Sequence, residues 1–436
     1  LEMLAFVAVI ALAATSAARA TAVHSLRMEP ARFGNAHEAR AFFGLKWPRV
    51  HPFGGKNVSV PLAGSIYPLG IYYVSIGIGS SNQQFKVAVD TGSGTLIVPG
   101  KQCDGCSETA NKFDPALSTS VQKLSCSSSN ECYNRCFFSH TQCEFQNTYQ
   151  TCVLNHPTEP CTISGPVWRD TFTLGGLRAT STFGEITEQT KDFQQLAVID
   201  GILGMTGSTS FGDPIPLFAL QKAGQIDEPV FAFCFNGDRL RGRLMLGGAD
   251  FGTVARGATF AYMPLIQSDS FVLPLNAMSV GTHSDGTTLP LPASAYQNGY
   301  LGGAILDSGT NILLVPSPVY DALHAAYSKQ CAGRCAKLDQ LFGGACFNLT
   351  DVQLEAYPPL TLAFDSADGG ASVLIDMPPR ALLVRNPAFG NQLCLGIKDT
   401  GRSGFLIIGD TTMWQYVVLL DRDKQRAGWA PANATA

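Results

Sequence analysis

Signatures of several common enzyme classes are absent from this sequence. It contains no Gly-x-Ser-x-Gly nucleophile elbow, which argues against the usual serine hydrolase arrangement. The pair His37-Glu38 opens a possible zinc-protease motif, but Ala41 stands where the second histidine is required. Cys103-x-x-Cys106 has no second matching pair to complete a zinc ribbon, although a zinc or redox site remains the alternative to a disulfide there. We therefore expect neither a metal nor another cofactor.

Charged residues are also scarce, at 15%, whereas apolar residues make up 45% of the 436 residues. This balance argues against a disordered chain and supplies enough apolar surface for two lobes. Long amphipathic stripes are missing, and short, partly β-branched apolar runs lie between the 44 glycines and 25 prolines. The pattern predicts an all-β architecture of short strands. The charge pattern does not resemble a nucleic-acid-binding surface.

Long apolar runs are confined to the beginning of the chain. Residues 4–14 are apolar and are followed by Ala18-Arg19-Ala20, which predicts an export signal over residues 1–20. A membrane anchor is the alternative, but the stretch is short for a bilayer. The sequons at Asn57, Asn348 and Asn433 are predicted glycosylation sites and agree with export. We expect a protein without a membrane anchor that is secreted, or delivered to a lysosome or vacuole.

The charges are unevenly distributed along the chain. Residues 21–64 carry six basic and two acidic residues, whereas the remainder is acidic overall. A basic leader ahead of an acidic body predicts a prosegment over residues 21–64 that binds its own chain. A merely solvated basic tail is the alternative.

Two halves of the chain repeat one pattern. DTGSGTLIVP begins at Asp90 and DSGTNILLVP begins at Asp307, and each follows a buried-strand pattern. A later apolar stretch ending in glycine follows each of them, at 199–204 and 406–409. This repetition predicts two lobes of similar plan, over residues 65–250 and 251–436. It also predicts a hairpin over residues 71–89, while residues 317–327 resemble a helix with Ser317 as its N-cap.

The repeated Asp-Thr/Ser-Gly stretches suit peptide hydrolysis by two carboxyl groups. Two carboxylates held close together share one proton, so one can act as base on a water while the other polarises the carbonyl. We therefore predict Asp90 and Asp307 as the catalytic pair. A pair of ordinary tight turns is the alternative. The predicted supporting residues are those that follow each aspartate: Thr91, Gly92, Ser93, Ser308, Gly309 and Thr310.

These two loops, together with the stretches 229–250 and 407–431, resemble the pepsin family of aspartic proteases from about Tyr67 to Pro431. The cysteine spacing between 103 and 143 is similar to that of its nepenthesin-like and plasmepsin-like branches. The resemblance implies a two-lobed fold with an extended peptide in its cleft, and a zymogen inhibited by its own prosegment. It also implies an acid optimum, a monomer, and cleavage at apolar residues through a pocket containing Ile199 and Ile202.

The flap is the part that departs from the family pattern. The family places a tyrosine about a dozen residues before an Asp-Thr pair, whereas Tyr149 lies 21 residues before Asp170. Tyr149 is nevertheless the predicted flap residue, and a packing aromatic is the alternative. The family's tryptophan partner to that tyrosine is replaced by Ile97. A disulfide between Cys152 and Cys161 is expected to close the extra loop.

Thirteen cysteines in an exported chain predict disulfides, with at least one cysteine left unpaired or paired between chains. The family resemblance implies a bond between Cys346 and Cys394. A local bond between Cys331 and Cys335 then leaves Cys234 as the candidate free thiol. The competing hypothesis for the whole chain is a protein similar to the plant xylanase inhibitors, which bind on the same fold without catalysis.

Overall fold

The structure is a computed structural model of the chain. It describes residues 56–65, 71–126, 136, 141–149, 162–190, 199–206, 215–235, 241–282, 284–297, 302–386, 390–401 and 404–433. The predicted signal peptide, most of the predicted prosegment, and the expected Cys152–Cys161 bond lie outside the described residues. Within these ranges, none of the helices has the length and apolar character needed to cross a bilayer.

Strands dominate the described part of the chain, as the sequence predicted. The strands of the first half are β1 (Val58–Ser65), β2 (Ile71–Ile78), β3 (Gln83–Asp90), β4 (Leu96–Asp104), β5 (Gln122–Lys123), β6 (Glu144–Thr148), β7 (Thr162–Leu174), β8 (Leu177–Gln189), β9 (Gly201–Gly204), β10 (Val230–Phe235) and β11 (Arg241–Leu246). Those of the second half are β12 (Ala261–Pro264), β13 (Val272–Leu273), β14 (Leu275–Val280), β15 (Thr287–Thr288), β16 (Ala304–Leu306), β17 (Leu313–Val315), β18 (Leu360–Phe364), β19 (Val373–Met377), β20 (Leu383–Asn386), β21 (Gln392–Leu395), β22 (Ile397–Asp399), β23 (Leu406–Ile408), β24 (Tyr416–Asp421) and β25 (Arg426–Pro431).

Helices are short and few among the described residues. They are α1 (Pro216–Lys222), α2 (Ser317–Cys331), α3 (Leu338–Phe342), α4 (Asp351–Glu355), α5 (Pro379–Leu382) and α6 (Asp410–Met413), with single 3-10 turns at Pro115–Leu117, Phe251–Thr253 and Ala293–Ala295.

The N-terminus of α2 differs from the sequence prediction. Ser317 was predicted as the N-cap, but the cap is Pro316 and the helix begins at Ser317 itself. The Ser317 hydroxyl donates instead to the Asp399 carboxylate, at 2.9 Å. The N-cap prediction was wrong because this tertiary contact takes the hydroxyl away from the helix backbone.

The largest sheet joins strands from both halves of the chain. Its order runs β12-β25-β24-β10-β11-β1-β2-β3-β9-β4-β8-β7-β5. β10 pairs antiparallel with β11 on one side and with β24 on the other, so that Phe231 lies opposite both Leu246 and Leu420. The boundary predicted near residue 250 falls between β11 and β12. The two halves are therefore connected by a continuous hydrogen-bonded sheet rather than by a linker alone.

The predicted hairpin is β2 paired antiparallel with β3, from Tyr73 opposite Ala88 to Ile78 opposite Gln83. Its turn uses two left-handed residues, Gly79 at φ 82° and Asn82 at φ 54°, conformations that glycine and asparagine tolerate best. The hairpin sets the register that ends β3 at Asp90.

The sequence repeat corresponds to a repeated strand arrangement. In the first half, β9 lies between β3 and β4, parallel to β3 and antiparallel to β4. In the second half, β23 lies between β16 and β17, parallel to β16 and antiparallel to β17. The Asp-Thr/Ser-Gly loop connects the two outer strands in each half. The two loops are thus produced by equivalent local folds.

Opposite faces of β3 pack into different apolar clusters. Val87 and Val89 face the main core, whereas Ala88 belongs to a second cluster with Ile97, Ile202 and the half-buried Tyr149. Because side chains alternate along a strand, Asp90 shares the face of Ala88. The second cluster therefore lies on the side of the sheet to which Asp90 projects.

Candidate active site

The two predicted catalytic aspartates lie at equivalent strand ends. Asp90 is the last residue of β3 and pairs with Gly204 of β9. Asp307 follows β16, and its backbone N–H donates to the Ile408 carbonyl at 3.0 Å. The side chains are almost fully buried, with 6% and 7% exposure. Aspartates are rarely buried to this degree in folded proteins, so both carboxyl groups occupy unusual positions.

Each carboxylate is held by the loop that follows it, in matching ways. The Gly92 N–H donates to Asp90 Oδ1 at 2.8 Å, and the Ser93 hydroxyl donates to Asp90 Oδ2. In the other loop, the Gly309 N–H donates to Asp307 Oδ1 at 2.8 Å and the Thr310 hydroxyl donates to Oδ2 at 2.6 Å. The four donors fix both carboxylate planes without using a charged partner.

The two loops approach each other so closely that only glycine fits at two positions. A Cβ added at Gly92 would lie 2.7 Å from Asp307 Cγ, and one at Gly309 would lie 2.7 Å from Asp90 Oδ1. Each carboxylate therefore packs against the backbone of the opposite loop. This close approach brings the two carboxyl groups together into one site.

Hydroxyl groups bond the loops across the junction. The Thr91 hydroxyl donates to the Leu306 carbonyl at 2.8 Å, and the Ser308 hydroxyl donates to the Val89 carbonyl at 2.7 Å. Each hydroxyl oxygen also accepts a backbone N–H from the other residue, at 2.9 and 3.2 Å. All six residues predicted to support the pair therefore surround it.

Burial and like charge change the protonation of the pair. Desolvation raises the pKa of Asp90 well above its ordinary value, and the nearby Asp307 charge raises it further, while the bond from Ser93 opposes the shift. Two carboxylates in this position do not both ionise readily, so they retain a shared proton to a higher pH than isolated aspartates. The arrangement can therefore present a carboxylate and a carboxylic acid to one substrate.

A third buried carboxyl group next to this pair, that of Asp410, was missed by the sequence analysis. Asp410 begins α6 directly after the second apolar-apolar-Gly stretch and is fully buried, and neither of its carboxyl oxygens has a hydrogen-bond partner among the described residues. Burial and the charge of Asp307 raise its pKa well above the ordinary value. Comparison of the two repeats could have drawn attention to it. Asp410 follows Gly409 in the second repeat, whereas the apolar Met205 follows Gly204 in the first.

Tyr149 lies near the pair, directly after β6. Burial raises the pKa of its hydroxyl, and the charges of Asp90 and Asp307 add to this effect, whereas interactions with Asn147 and Ser93 oppose it. The residues that follow it lie outside the described part of the chain. The position is compatible with a flap residue, and that role remains a proposal.

The predicted pocket residues Ile199 and Ile202 line an apolar cavity together with Ile97. Its volume is about 40 Å³, so the cavity is small. Ile202 lies opposite Ala88 in the sheet, two residue pairs before Gly204 and Asp90. The cavity is therefore adjacent to the carboxyl pair along β9.

The cysteines form the two bonds expected in the second half, Cys331–Cys335 and Cys346–Cys394. In the first half, Cys103 bonds to Cys106 and Cys126 to Cys136, so the Cys-x-x-Cys pair is a disulfide rather than a pair of metal ligands. Cys234 is a buried free thiol, as predicted. Among the sequon residues, Asn57 and Asn348 are exposed, whereas the Asn433 amide donates to the Gly252 carbonyl at 3.2 Å.

Comparison with known proteins agrees with this geometry. Residues 71–432 match the family model described as eukaryotic aspartyl protease. The chain is 25% identical to Aspartic proteinase 39 of Arabidopsis thaliana over 405 residues, which cover 87% of this chain and 78% of that protein. It is 30% identical to Napsin-A of Homo sapiens over 324 residues, or 68% of this chain and 66% of the relative. It is 31% identical to Renin-2 of Mus musculus over 215 residues, or 48% and 47%. The chain therefore belongs to the eukaryotic aspartyl protease family, with the pepsin-like all-β fold of that family, and is an aspartic-type endopeptidase.

Proposed function

We propose that Asp90 and Asp307 together hydrolyse a peptide bond through a water molecule bound between them. One carboxylate takes a proton from the water as it attacks the carbonyl carbon, and the protonated partner donates to the carbonyl oxygen. Collapse of the resulting tetrahedral species then requires a proton for the leaving nitrogen, which the pair supplies. The matched hydrogen bonds from Gly92 and Gly309 are the observation that carries this proposal, because they hold the carboxyl groups equivalently.

An acid pH optimum follows from the shared proton. The pair is competent only while it holds one proton, and activity falls once that proton is lost at higher pH. The raised pKa of Asp90 extends the competent range upward from that of an ordinary aspartate. Both limbs of the pH profile belong to the pair, and neither role is assigned to a fixed residue.

The proposed substrate is a peptide in extended conformation with apolar residues next to the cleaved bond. Ile199 and Ile202 provide the apolar surface beside the pair. Tyr149 is the proposed flap residue that covers the bound peptide, because it lies close enough to both aspartates for their charges to raise the pKa of its hydroxyl.

We also propose synthesis as a zymogen on the secretory route. Residues 1–20 would be the signal peptide, and the basic residues of 21–64 would bind the acidic body until low pH weakens the attraction. The mature enzyme is proposed as a secreted, lysosomal or vacuolar monomer that carries glycans at exposed sequons. The disulfides of the body suit an oxidising compartment.

Cleavage of a quenched apolar peptide from acid to neutral pH tests this proposal. The acid-treated full chain is compared with Asp307→Asn, and with Asp321→Asn as an exposed control. We expect acid activity that pepstatin abolishes and that Asp307→Asn lowers by about 100- to 10,000-fold, because general acid–base catalysis is lost. The control should retain activity. A folded protein that cuts nothing across this range would instead favour the inhibitor hypothesis, against which both intact loops argue.

A further inference from the structure

One face of β6 packs into the second apolar cluster, on the side of the sheet to which Asp90 projects. Phe145 is buried in this cluster, and Tyr149 packs against it directly after the strand. Because side chains alternate along a strand, Asn147 shares this face and lies between the two aromatic residues. Its cross-strand neighbour is Ile163, which is also buried in the cluster. A half-buried amide is thus placed on an otherwise apolar face.

The amide of Asn147 has a polar neighbour in the hydroxyl group of Tyr149. A polar group among apolar side chains is costly unless it forms a hydrogen bond. The hydroxyl oxygen of Tyr149 is shielded from solvent and interacts with Asn147 and with Ser93. Both interactions lower the pKa of the hydroxyl, against the effect of burial. This is the direction expected of groups that can donate to the oxygen.

The donor and acceptor in each of these contacts follow from the number of protons available. The Ser93 hydroxyl has one proton, which it donates to Asp90 Oδ2. Ser93 can therefore only accept from Tyr149, which uses the single hydroxyl proton of the tyrosine. The tyrosine oxygen still has an acceptor site, and an amide N–H of Asn147 can fill it. The contacts thus run in one direction, from the amide of Asn147 to the carboxylate of Asp90.

Ile97 cannot supply this donor. It is fully buried in the same cluster, against which Tyr149 packs, but its side chain has no hydrogen-bonding atom. The tryptophan that it replaces in the family pattern carries an indole N–H. A donor for the hydroxyl of Tyr149 must therefore come from another residue of this chain.

We propose that Asn147 is a positioning residue, which donates to the Tyr149 hydroxyl and thereby directs it to Ser93 beside the carboxyl pair. The donor that Ile97 lacks is then provided two residues before the tyrosine, on the same segment of chain. Such a donor stays beside the hydroxyl even if the segment moves relative to β4, which carries Ile97. This inference rests on the proposed function, because Tyr149 is the proposed flap residue over the bound peptide.

A double-mutant cycle tests this coupling. The variants are Asn147→Leu, Tyr149→Phe and the two combined, and Asn147→Ala repeats the cycle without the added apolar bulk. Gln146→Leu, on the exposed opposite face of β6, is the matched control. Cleavage of the apolar peptide gives kcat and KM separately, and peptide binding is measured by fluorescence anisotropy in the Asp307→Asn background. Thermal unfolding shows which variants are folded.

We expect Asn147→Leu to lower kcat/KM by about 3- to 10-fold, the effect of losing one hydrogen bond, and Tyr149→Phe to lower it at least as much. The double variant should lose no more than about twofold beyond Tyr149→Phe, because both changes remove the same contact. Gln146→Leu should keep the wild-type values.

A purely structural role of Asn147 would lower the thermal midpoint and give additive losses in the cycle, which would overturn the inference. Full activity of folded Asn147→Leu and Asn147→Ala would overturn it as well. If the wild type binds the peptide without cutting it and the binding losses are not additive, the positioning role stands and the proposed catalysis fails. A wild type that neither cuts nor binds the peptide would overturn both.

Discussion

Thr91 and Ser308 bond to each other reciprocally: the hydroxyl of each donates to a carbonyl of the opposite strand and accepts the backbone N–H of the other residue. The two residues are 217 positions apart in the chain and almost completely buried. Their four hydrogen bonds hold the two strand ends at one separation. The distance between the catalytic carboxyl groups is therefore set by the hydrogen bonds of these two hydroxyl groups and not by the aspartates themselves.

Removal of the Thr91 hydroxyl should weaken both the fold and the site. Thr91→Val preserves the shape but leaves the Ser308 N–H and the Leu306 carbonyl without this partner, at a cost of about 1–3 kcal/mol in the free energy of unfolding. Thermal unfolding and kcat measure the two effects. Thr361→Val is a matched control, because its buried hydroxyl donates to Asp376 away from the site, at 2.7 Å. It should lose stability and keep kcat, whereas equal kcat values in the two variants would contradict this role of Thr91.

A single methyl group at Gly92 should separate the carboxyl groups. Gly92→Ala places a Cβ 2.7 Å from Asp307 Cγ, and displacement of a reacting group by about 1 Å can lower the rate by about 100-fold. Gly343→Ala adds the same methyl group at a helix end, where the nearest atom is 3.3 Å away, and should leave activity unchanged. Peptide cleavage by the two purified variants tests the prediction. A fully active Gly92→Ala enzyme would show that the loops are not in close contact.

Asp410 should make the protein less stable as the pH rises. Because its pKa is raised in the folded state, the folded protein keeps a proton that the unfolded chain has released. Its stabilising contribution is complete below the unfolded pKa of about 3.9 and decreases as the pH rises toward the folded value. Asp410→Asn cannot ionise, so its thermal midpoint should fall less between about pH 4 and pH 7 than that of the wild type. The pKa of Asp90 is also raised in the folded state, so Asp90 still causes part of the loss of stability with rising pH in this variant.

The comparison for Asp410 is a series of thermal unfolding curves at each pH. Asp321→Asn, an exposed change on α2, should follow the wild-type dependence. Curves for Asp410→Asn that run parallel to those of the wild type would mean that this carboxyl group does not keep its proton in the folded protein.

The two disulfides of the second half should contribute unequally to stability. Cys346–Cys394 closes a loop of 48 residues, whereas Cys331–Cys335 closes one of 4. The chain-entropy relation assigns about 4 kcal/mol to the first and about 2 kcal/mol to the second. Paired Cys→Ser variants, unfolded by denaturant, measure both values. A larger loss from the short loop would show that local geometry, and not chain entropy, dominates.

The sequence was most informative where the chain repeats itself. The loops at Asp90 and Asp307 follow buried strands in a local pattern, so their residues could be aligned without knowledge of the packing. Asp410 was missed because its significance depends on burial against Asp307, which a linear sequence does not contain. The small apolar cavity lined by Ile97, Ile186 and Ile202 likewise depends on three strands, β4, β8 and β9, meeting in space. The N-cap at Ser317 was wrong for the same reason, since Asp399 is 82 residues away.

All of β1 except Ser65 lies within the segment predicted to be removed on maturation. It is paired with β11 from Val58 to Ala63 and with β2 from Ala63 to Ser65. Excision of residues 21–64 would expose a row of unsatisfied N–H and C=O groups along β11, a template that readily recruits another extended segment. Cleavage before Val58 would leave β1 paired with β11. Activation of the precursor is therefore coupled to the stability of the largest sheet. The position of the processing site decides whether another strand must replace β1 beside β11.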